Sequence, residues 1–273
     1  MTAALAEAGK IGAFVRRDFL IAWSYRLAFV TDVVSMAAQA FVFSLIGQLV
    51  DPAQLPRYGG TPTTYMEFVA IGLVLNLVIT LLLDRVANAI RGEQMTGTLE
   101  SLLTTPTRTA TIQIGSAAFE FLWVPIRAAV FLLVIALGFG LDFHADGIVP
   151  AAVVLLAFVP FVWGLGLVAG GMILTFRRGG GATAVATLLA LISGAFFPIA
   201  LLPDWLEWIM AVNPIAIALD GIREALLGGR GWSGVGPALL VLAPLSALSL
   251  AIGVTAFRLA LRRERRLGTL GLY

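Results

Sequence analysis

The run Ile148-Val-Pro-Ala-Ala-Val-Val-Leu-Leu-Ala-Phe-Val-Pro-Phe-Val-Trp-Gly-Leu-Gly-Leu-Val-Ala-Gly-Gly-Met-Ile-Leu-Thr-Phe176 determines the class of fold. A helix rises about 1.5 Å per residue and the hydrocarbon core of a bilayer is about 30 Å thick, so a crossing takes roughly 20 apolar residues. This run is longer than that, and its two prolines, Pro150 and Pro160, predict a kink or a tilt. It therefore predicts a helix that spans a membrane.

Five other apolar blocks of the chain give the same prediction. Hydrophobic residues make up 59% of the sequence and charged residues 12%, against about 25% charged in an ordinary soluble domain. The chain is therefore expected to be an all-α integral membrane protein and not a soluble enzyme. The six predicted transmembrane helices are 28–50, 68–89, 112–140, 148–176, 182–201 and 237–257.

We predict a single transmembrane domain over residues 1–273, in which a six-span core of 28–257 is followed by a basic cytosolic tail of 258–273. Residues 1–27 precede the core. Within them, Lys10 to Arg26 mix apolar Phe14 and Phe19 with charged Arg17, which indicates an amphipathic helix on the membrane surface. The alternative is a loosely held helical extension.

The basic residues indicate the orientation, because short cytoplasmic loops carry an excess of Lys and Arg. They concentrate at the N-terminus, in alternate loops and in the C-terminal tail, so both termini are expected in the cytoplasm. The predicted external segments are 51–64, 142–147 and 203–236. Their only basic residues are Arg57, Arg223 and Arg230. The predicted location is the plasma membrane of a bacterium, with membrane lipid as surroundings.

Several kinds of chemistry are excluded or unsupported. The sequence has no cysteine, and its 18 basic and 16 acidic residues give no indication of nucleic acid. A phosphate loop needs Gly-x-x-x-x-Gly-Lys-Ser/Thr, but the one lysine, Lys10, is followed by Ile11. One histidine, His144, is a poor basis for a metal site. We therefore expect no cofactor in this chain, and any ATP must be bound by another chain.

The cytoplasmic stretch after the second predicted span reads Arg91-Gly-Glu-Gln-Met-Thr-Gly-Thr-Leu-Glu-Ser-Leu-Leu-Thr-Thr-Pro106. Gly97 can end one helix and Thr98 can cap the next, while Thr105 and Pro106 give a second helix start. The leucines of the short helix between them form one apolar face, since they lie at i, i+3 and i+4. Such a helix is suited to docking on another protein; alternatively, it rests on the lipid surface. The face consists of Leu99, Leu102 and Leu103.

This stretch resembles the signature that follows the second span in ABC-2 type transporter permeases, the membrane subunits of type V ABC exporters. A second region is similar to the same family's fifth span and re-entrant external helices. It comprises Ser193-Gly-Ala-Phe-Phe-Pro-Ile, Leu202-Pro-Asp-Trp-Leu, Asn213-Pro214 and Leu219-Asp-Gly-Ile-Arg-Glu-Ala-Leu-Leu-Gly-Gly229. The resemblance covers nearly the whole chain, in order.

The resemblance implies a partner subunit that binds ATP and Mg, and a second permease copy or a related one that encloses the path. It also implies re-entrant external helices before the last span, and export of a drug, a lipid or another amphipathic molecule, or else of a polysaccharide or glycolipid. The residues expected to couple to the ATPase are Arg91, Glu93, Gly97, Thr98, Leu99, Glu100, Leu102, Leu103, Thr105 and Pro106. The family has a run of charged residues before Gly-Thr-Leu-Glu. In this sequence the run has fewer charges, because Arg91 and Glu93 are followed by neutral Gln94 and Met95.

Polar residues inside predicted spans are candidates for the path. Glu120 and Arg127 lie two turns apart on one face of a span and are predicted to pair, either in the path or as a structural link. Asp32, Gln39 and Asn76 are further candidates, although amides in spans more often bond to neighbouring helices. Outside the spans, the spacing of Asp220, Arg223 and Glu224 predicts a salt link within one helix. Alternatively, these residues shape the exit for the headgroup of a substrate.

Two functions from other classes remain open at this point. One is a proton-coupled secondary transporter that uses Glu120 and Arg127, and it would transport without an ATPase. The other is a membrane scaffold that does not transport. The docking motif favours neither.

Overall fold

The computed structural model describes residues 2–60, 62–95, 105, 109–176, 181–198 and 212–267. Within these residues the regular structure is helical, apart from short turns, which confirms the all-α prediction. Two single-turn helices, Pro52–Gln54 and Ala145–Gly147, lie in connections. The α-helices are α1 Thr2–Ser24, α2 Arg26–Gly47, α3 Tyr65–Met95, α4 Thr109–Phe139, α5 Ile148–Phe176, α6 Gly181–Leu191, α7 Pro214–Leu226 and α8 Gly231–Leu267.

Five of the described helices are long and apolar enough to cross a bilayer. The qualifying stretches are Phe29–Gly47, Tyr65–Ala89, Ala117–Phe139, Ala145–Phe176 and Gly231–Glu264. They correspond to five of the six predicted spans, and α5 has the predicted bounds. The remaining block, 182–201, is described only up to residue 198 and contains α6, which has 11 residues. At about 1.5 Å per residue, α6 alone is shorter than the hydrocarbon core.

Helix α6 ends early because the chain turns directly after it. Gly194 has a φ of 75°, a left-handed conformation that favours glycine. The Ser193 hydroxyl donates a 2.6 Å hydrogen bond to the Ala190 carbonyl and closes the last turn. The carbonyls of Gly194 and Ala195 are thereby directed away from a helical continuation.

Glycine contacts hold the spans together at the centre of the bundle. A Cβ added at Gly164 of α5 would lie 2.3 Å from the carbonyl oxygen of Ser249 in α8, and one at Gly253 would lie 2.3 Å from that of Gly164. The two backbones therefore touch. Because lipid tails are as apolar as leucine, such close packing is a main source of attraction between spans.

The bundle has two distinct ends. At the α1 end, Phe14 of α1 packs with Val86 of α3, Leu167 of α5 and Phe257 of α8. At the opposite end, called the α7 end, α7 covers the beginning of α3 and the turn after α6. The predicted N-terminal helix is thus present and packs on four spans, including α4, while apolar side chains such as Phe19 and Trp23 remain exposed.

Arg223 connects three elements at the α7 end. Its side chain is fully buried, and Nη2 donates hydrogen bonds to the carbonyls of Phe68 in α3, at 2.9 Å, and Gly194, at 3.0 Å. The guanidinium also lies 3.6 Å from the centre of the Phe68 ring, close enough for a cation–π interaction. Burial lowers the pKa of Arg223, and the neighbouring Tyr58 and Asp220 oppose this effect.

The predicted salt link within α7 is therefore wrong. Arg223 lies on the face of α7 that packs into the bundle, where backbone carbonyls need donors. Asp220 instead accepts a 3.4 Å hydrogen bond from the Tyr58 hydroxyl. Burial is the main cause that raises the pKa of Tyr58 to about 12, so the hydroxyl keeps its proton.

We predict that Arg223→Met destabilises the protein, because it removes the charged side-chain donor from two buried carbonyls. The free energy of unfolding should fall by about 2–6 kcal/mol, at roughly 1–3 kcal/mol for each lost hydrogen bond. Thermal unfolding in detergent measures this change. Arg230→Met is the matched control, since Arg230 is exposed, and equal losses in both variants would contradict the assignment.

Candidate coupling and transport site

Ion pairs hold α1 to the end of α3. Asp18 is buried, with 5% of its surface exposed, and its carboxylate binds Arg85 Nη2 at 2.5 Å and Arg17 Nε at 2.9 Å. Arg17 Nη1 in turn lies 2.9 Å from Oε1 of Glu93, which is also buried. Two residues of α1 thus contact two residues of α3, two turns apart.

The charges in this network depend on one another. Burial disfavours the charge of Arg17, but its hydrogen bonds to Asp18 and Glu93 outweigh that cost and raise the pKa of Arg17. Removing the partner of a buried carboxylate strongly destabilises the folded protein, because the unpaired charge then remains in the protein interior, which solvates it poorly. The network therefore keeps α1 in one position relative to α3.

A second contact joins α1 to the beginning of α4. The Thr111 hydroxyl donates a short hydrogen bond to Oε2 of Glu7. The other oxygen of Glu7 accepts from Lys10 at 2.7 Å. Because α3 ends at Met95 and α4 begins at Thr109, α1 contacts the chain on both sides of the predicted docking segment.

Of the residues predicted to couple to an ATPase, the structure describes three. Arg91 is exposed, Glu93 is buried and paired with Arg17, and Thr105 is exposed. The other seven lie outside the described residues. They are Gly97, Thr98, Leu99, Glu100, Leu102, Leu103 and Pro106.

The intramembrane charges pair differently from the prediction. Arg127 Nη2 lies 3.5 Å from Oδ2 of Asp32 in α2, so Arg127 bonds to a neighbouring helix. Glu120 Oε2 and Arg127 Nε are buried without a hydrogen-bond partner among the described residues. Glu120 and Arg127 are about 10 Å apart along the axis of α4. Helix α2 instead places Asp32 beside Arg127, close to the contact between the Phe29 and Trp123 rings.

The other two intramembrane candidates lie apart from this group. Gln39 is exposed on α2 and Asn76 is half-buried on α3. Between α3, α4 and α5 there is also a cavity of about 120 Å³ with an apolar lining. Its walls include Leu82, Phe121, Pro125 and Val159.

Sequence reasoning missed Asp18 and Arg85 as members of the site. A signal was present, because Arg85 lies inside a predicted span and a charge there requires a partner. Asp18 is the acidic residue next to Arg17 in an amphipathic helix, which marks it as the partner. The pairing itself depends on the tertiary contact.

We predict that Asp32→Asn and Arg127→Gln are coupled in a double-mutant cycle. The coupling should be about 0.5–1 kcal/mol, since Asp32 is partly exposed and exposed pairs contribute little. Unfolding in detergent gives the four free energies of the cycle. The cycle of Glu120→Gln with Arg127→Gln is the matched control and should show the smaller coupling; the reverse order would contradict the pairing.

Comparison with known proteins agrees with this architecture. A family model described as ABC-2 type transporter matches residues 9–227, which include most of α1 and all of α2 to α7. The inner membrane transport permease YadH of Escherichia coli strain K12 is 27% identical over 202 residues, which cover 72% of this chain and 76% of that protein. The permease of the same name from Shigella flexneri gives the same values.

The family model covers well over half of the chain, and the apolar helices fit a multi-pass protein of a bacterial inner membrane. The family also implies an ATP-binding partner subunit. The chain therefore belongs to the ABC-2 type transporter family and is a membrane subunit of an ABC transporter.

Proposed function

We propose that the protein is the permease of an ATP-driven exporter, in which residues 97–106 dock on a separate ATP-binding subunit. The observation that carries this proposal is that α1 binds the chain on both sides of that segment, by an ion pair with Glu93 before it and a hydrogen bond with Thr111 after it. ATP and Mg are bound by the partner. The transported molecule is a drug, a lipid or another amphipathic compound, and a polysaccharide or glycolipid is the alternative.

Coupling then follows from mechanical connection. When ATP binding draws two ATPases together, the docked segment moves with them. Because α1 is bound to α3 and to α4, this movement displaces both spans together and is not absorbed by the segment between them. ATP can drive the change only if it binds one conformation more tightly than the other.

The positions of the chain ends support a sixth crossing. Phe14 of α1 packs in the same cluster as Phe257 near the end of α8, so the first and last helices meet at one end of the bundle. Five crossings would separate these ends. Helix α5 ends at the α1 end, whereas Gly194, which follows α6, accepts a hydrogen bond from Arg223 at the α7 end. The segment from α6 to Gly194 therefore makes the additional crossing, and α7 is the re-entrant helix that follows it.

In this proposal the α1 end faces the cytoplasm. It carries most of the basic residues, in agreement with the positive-inside rule. A second copy, or a related permease, packs beside the first and encloses the path between them. The apolar cavity near Pro125 suits the apolar part of an amphipathic substrate.

The unpartnered carboxylate oxygen of Glu120 favours one competing function, a proton-coupled transporter. A buried carboxylate without a donor is a group that can take up a proton. The two functions differ in energy source. Transport by the purified protein in liposomes under a proton gradient, without any ATPase, would support the competitor.

We predict that Leu102→Asp combined with Glu100→Lys uncouples the transporter. Loss of a buried leucine contact costs about 1.5–3 kcal/mol, so docking should weaken tenfold or more. Co-purification of the ATPase and ATP-dependent export are the measurements. Leu49→Asp with Asp142→Lys makes the same kinds of change at the α7 end, on exposed residues, and should leave both unchanged.

The proposed coupling element would be refuted if the docking variant inserts normally, keeps its ATPase and exports at the rate of the parent protein. The family membership would stand, but the segment would have no role in energy transfer.

We predict that a cysteine at Ser101 is protected from an impermeant thiol reagent in intact cells, whereas a cysteine at Asp142 reacts. The parent chain has no cysteine, so the background is zero. Mass shift on a gel reports the labelling, and permeabilised cells should label both. Labelling of Ser101→Cys in intact cells would reverse the proposed orientation.

A further inference from the structure

Two polar atoms on one face of α4 are buried without a hydrogen-bond partner in the described part of the chain. They are the acceptor Oε2 of Glu120 and the donor Nε of Arg127. The two residues are seven positions apart, so they share a face but lie about 10 Å apart along the axis. Neither atom satisfies the other. Because buried polar atoms without partners are rare and costly, a ligand that bonds to both has a favourable site here.

The charged groups around Glu120 are already engaged with one another. Those of the described residues that act on its carboxylate are Arg127, Arg85, Asp18 and Asp32. Arg85 pairs with Asp18 at 2.5 Å. Asp32 lies 3.5 Å from Nη2 of Arg127, which leaves Nε of that arginine to another acceptor. An acceptor and a donor are therefore both available at one site.

A ligand with a single charge satisfies only half of this site. An amine bonds to Glu120 but leaves Nε of Arg127 unbonded, whereas an anion bonds to Arg127 and is repelled by the carboxylate of Glu120. A zwitterion with an ammonium and an anionic group a few bonds apart supplies a donor to one residue and an acceptor to the other. Since charged groups inside a bilayer are costly unless paired, the two atoms favour a zwitterion.

The depths of the two residues give the order of the two groups in the ligand. The apolar stretch of α4 begins at Ala117, so Glu120 lies about 5 Å and Arg127 about 15 Å inside it, measured from the α1 end. The amine is therefore bound nearer the membrane surface and the anionic group nearer the bilayer centre. A phosphoethanolamine headgroup has this order, because its amine is outermost and its phosphate is next to the apolar chain.

The site reaches the surface of the subunit beside α2. The side chain of Asp32 is 44% exposed and that of Arg127 is 18% exposed, so their ion pair lies at the edge of the site. Helix α2 covers this edge loosely, since 6% of its apolar stretch is buried. A molecule of the surrounding leaflet can therefore bring an anionic group to Arg127 in competition with Asp32, without leaving the membrane.

We propose that Glu120 and Arg127 form a binding site for a zwitterionic amphiphile from the leaflet at the α1 end. The amine binds Glu120, and the phosphate or carboxylate binds Arg127. This inference deepens the proposed function and rests on it for the claim that the bound molecule is the one transported. Among the candidate substrates it selects lipid-like molecules with an amine over neutral glycolipids and polysaccharides.

Equilibrium binding to the purified full-length protein in maltoside detergent tests the site. The radiolabelled probes have chains of equal length: zwitterionic lysophosphatidylethanolamine, anionic lysophosphatidic acid and a cationic alkylamine. The parent protein should bind the zwitterion at least tenfold more tightly than either of the other two. Similar affinities for all three probes would overturn the proposal.

Two changes that each remove one charge should act reciprocally on this selectivity. Glu120→Gln should abolish the preference for the zwitterion over lysophosphatidic acid, because the amine loses its carboxylate. Arg127→Gln should abolish the preference over the alkylamine, because the phosphate loses its cation. An unchanged ratio of affinities in either variant would overturn the two-residue site.

The matched control is Asp142→Asn combined with Arg230→Gln, which removes the same two kinds of charge from exposed residues at the α7 end. This variant should keep both ratios of the parent protein. A ratio of affinities does not depend on how much of the protein is folded, so a variant that is merely less stable does not give the expected result.

Two further arms identify the source and the fate of the ligand. An excess of free phosphoethanolamine, which has the same polar group without the chain, should not displace the lysolipid; displacement would overturn the assignment to an amphiphile. In proteoliposomes with the co-purified ATPase, ATP should move the labelled zwitterion to the other leaflet, and binding without such movement by a coupled transporter would overturn its role as cargo. The binding measurements use neither ATP nor the ATPase, so intact selectivity with a failed coupling experiment would reject the proposed function and leave the binding site.

Discussion

Inside a bilayer a charged group is costly unless it is paired, and this constraint accounts for the placement of most of the charged residues in the bundle. Arg223 is buried where the turn after α6 leaves carbonyls without donors. Asp18 is buried where α1 meets the spans, and it pairs there with the half-buried Arg85. Arg127 reaches a carboxylate on the adjacent helix. Each pairing also joins segments that are distant in sequence, so the polar contacts define the arrangement of the helices.

The sequence predicted the spans well because their signal is local. Length and apolarity alone identified five of them, and α5 has the predicted bounds. The end of α6 was harder to predict, since it depends on a glycine in the left-handed conformation, Gly194, within an otherwise apolar block. The prediction that Glu120 pairs with Arg127 failed for a related reason. Spacing along one helix says which residues share a face, but the partner came from α2.

The same distinction applies to the candidate site. The docking segment could be identified from its leucine spacing and its resemblance to a family. What holds it in place could not, because the contacts of Glu93 and Thr111 with α1 join residues 76 and 104 positions apart. The polar residues at every fourth position of α3, from Asn76 to Asn88, lie between these cases. Their period of four is visible in the sequence, yet only the packing shows that α3 is buried on every side from Phe68 to Leu75 and open on one face from Asn76 onward.

The contact between Gly164 and Gly253 has a consequence for how the bundle can deform. Backbones in direct contact have no side-chain layer that can yield, so α5 and α8 behave as one body. Helix α2 is the opposite extreme, with 6% of its apolar stretch buried and contacts limited mainly to α3 and α4. In any change of shape of the subunit, α5 and α8 are therefore expected to move as a unit, whereas α2 has few contacts that resist a displacement.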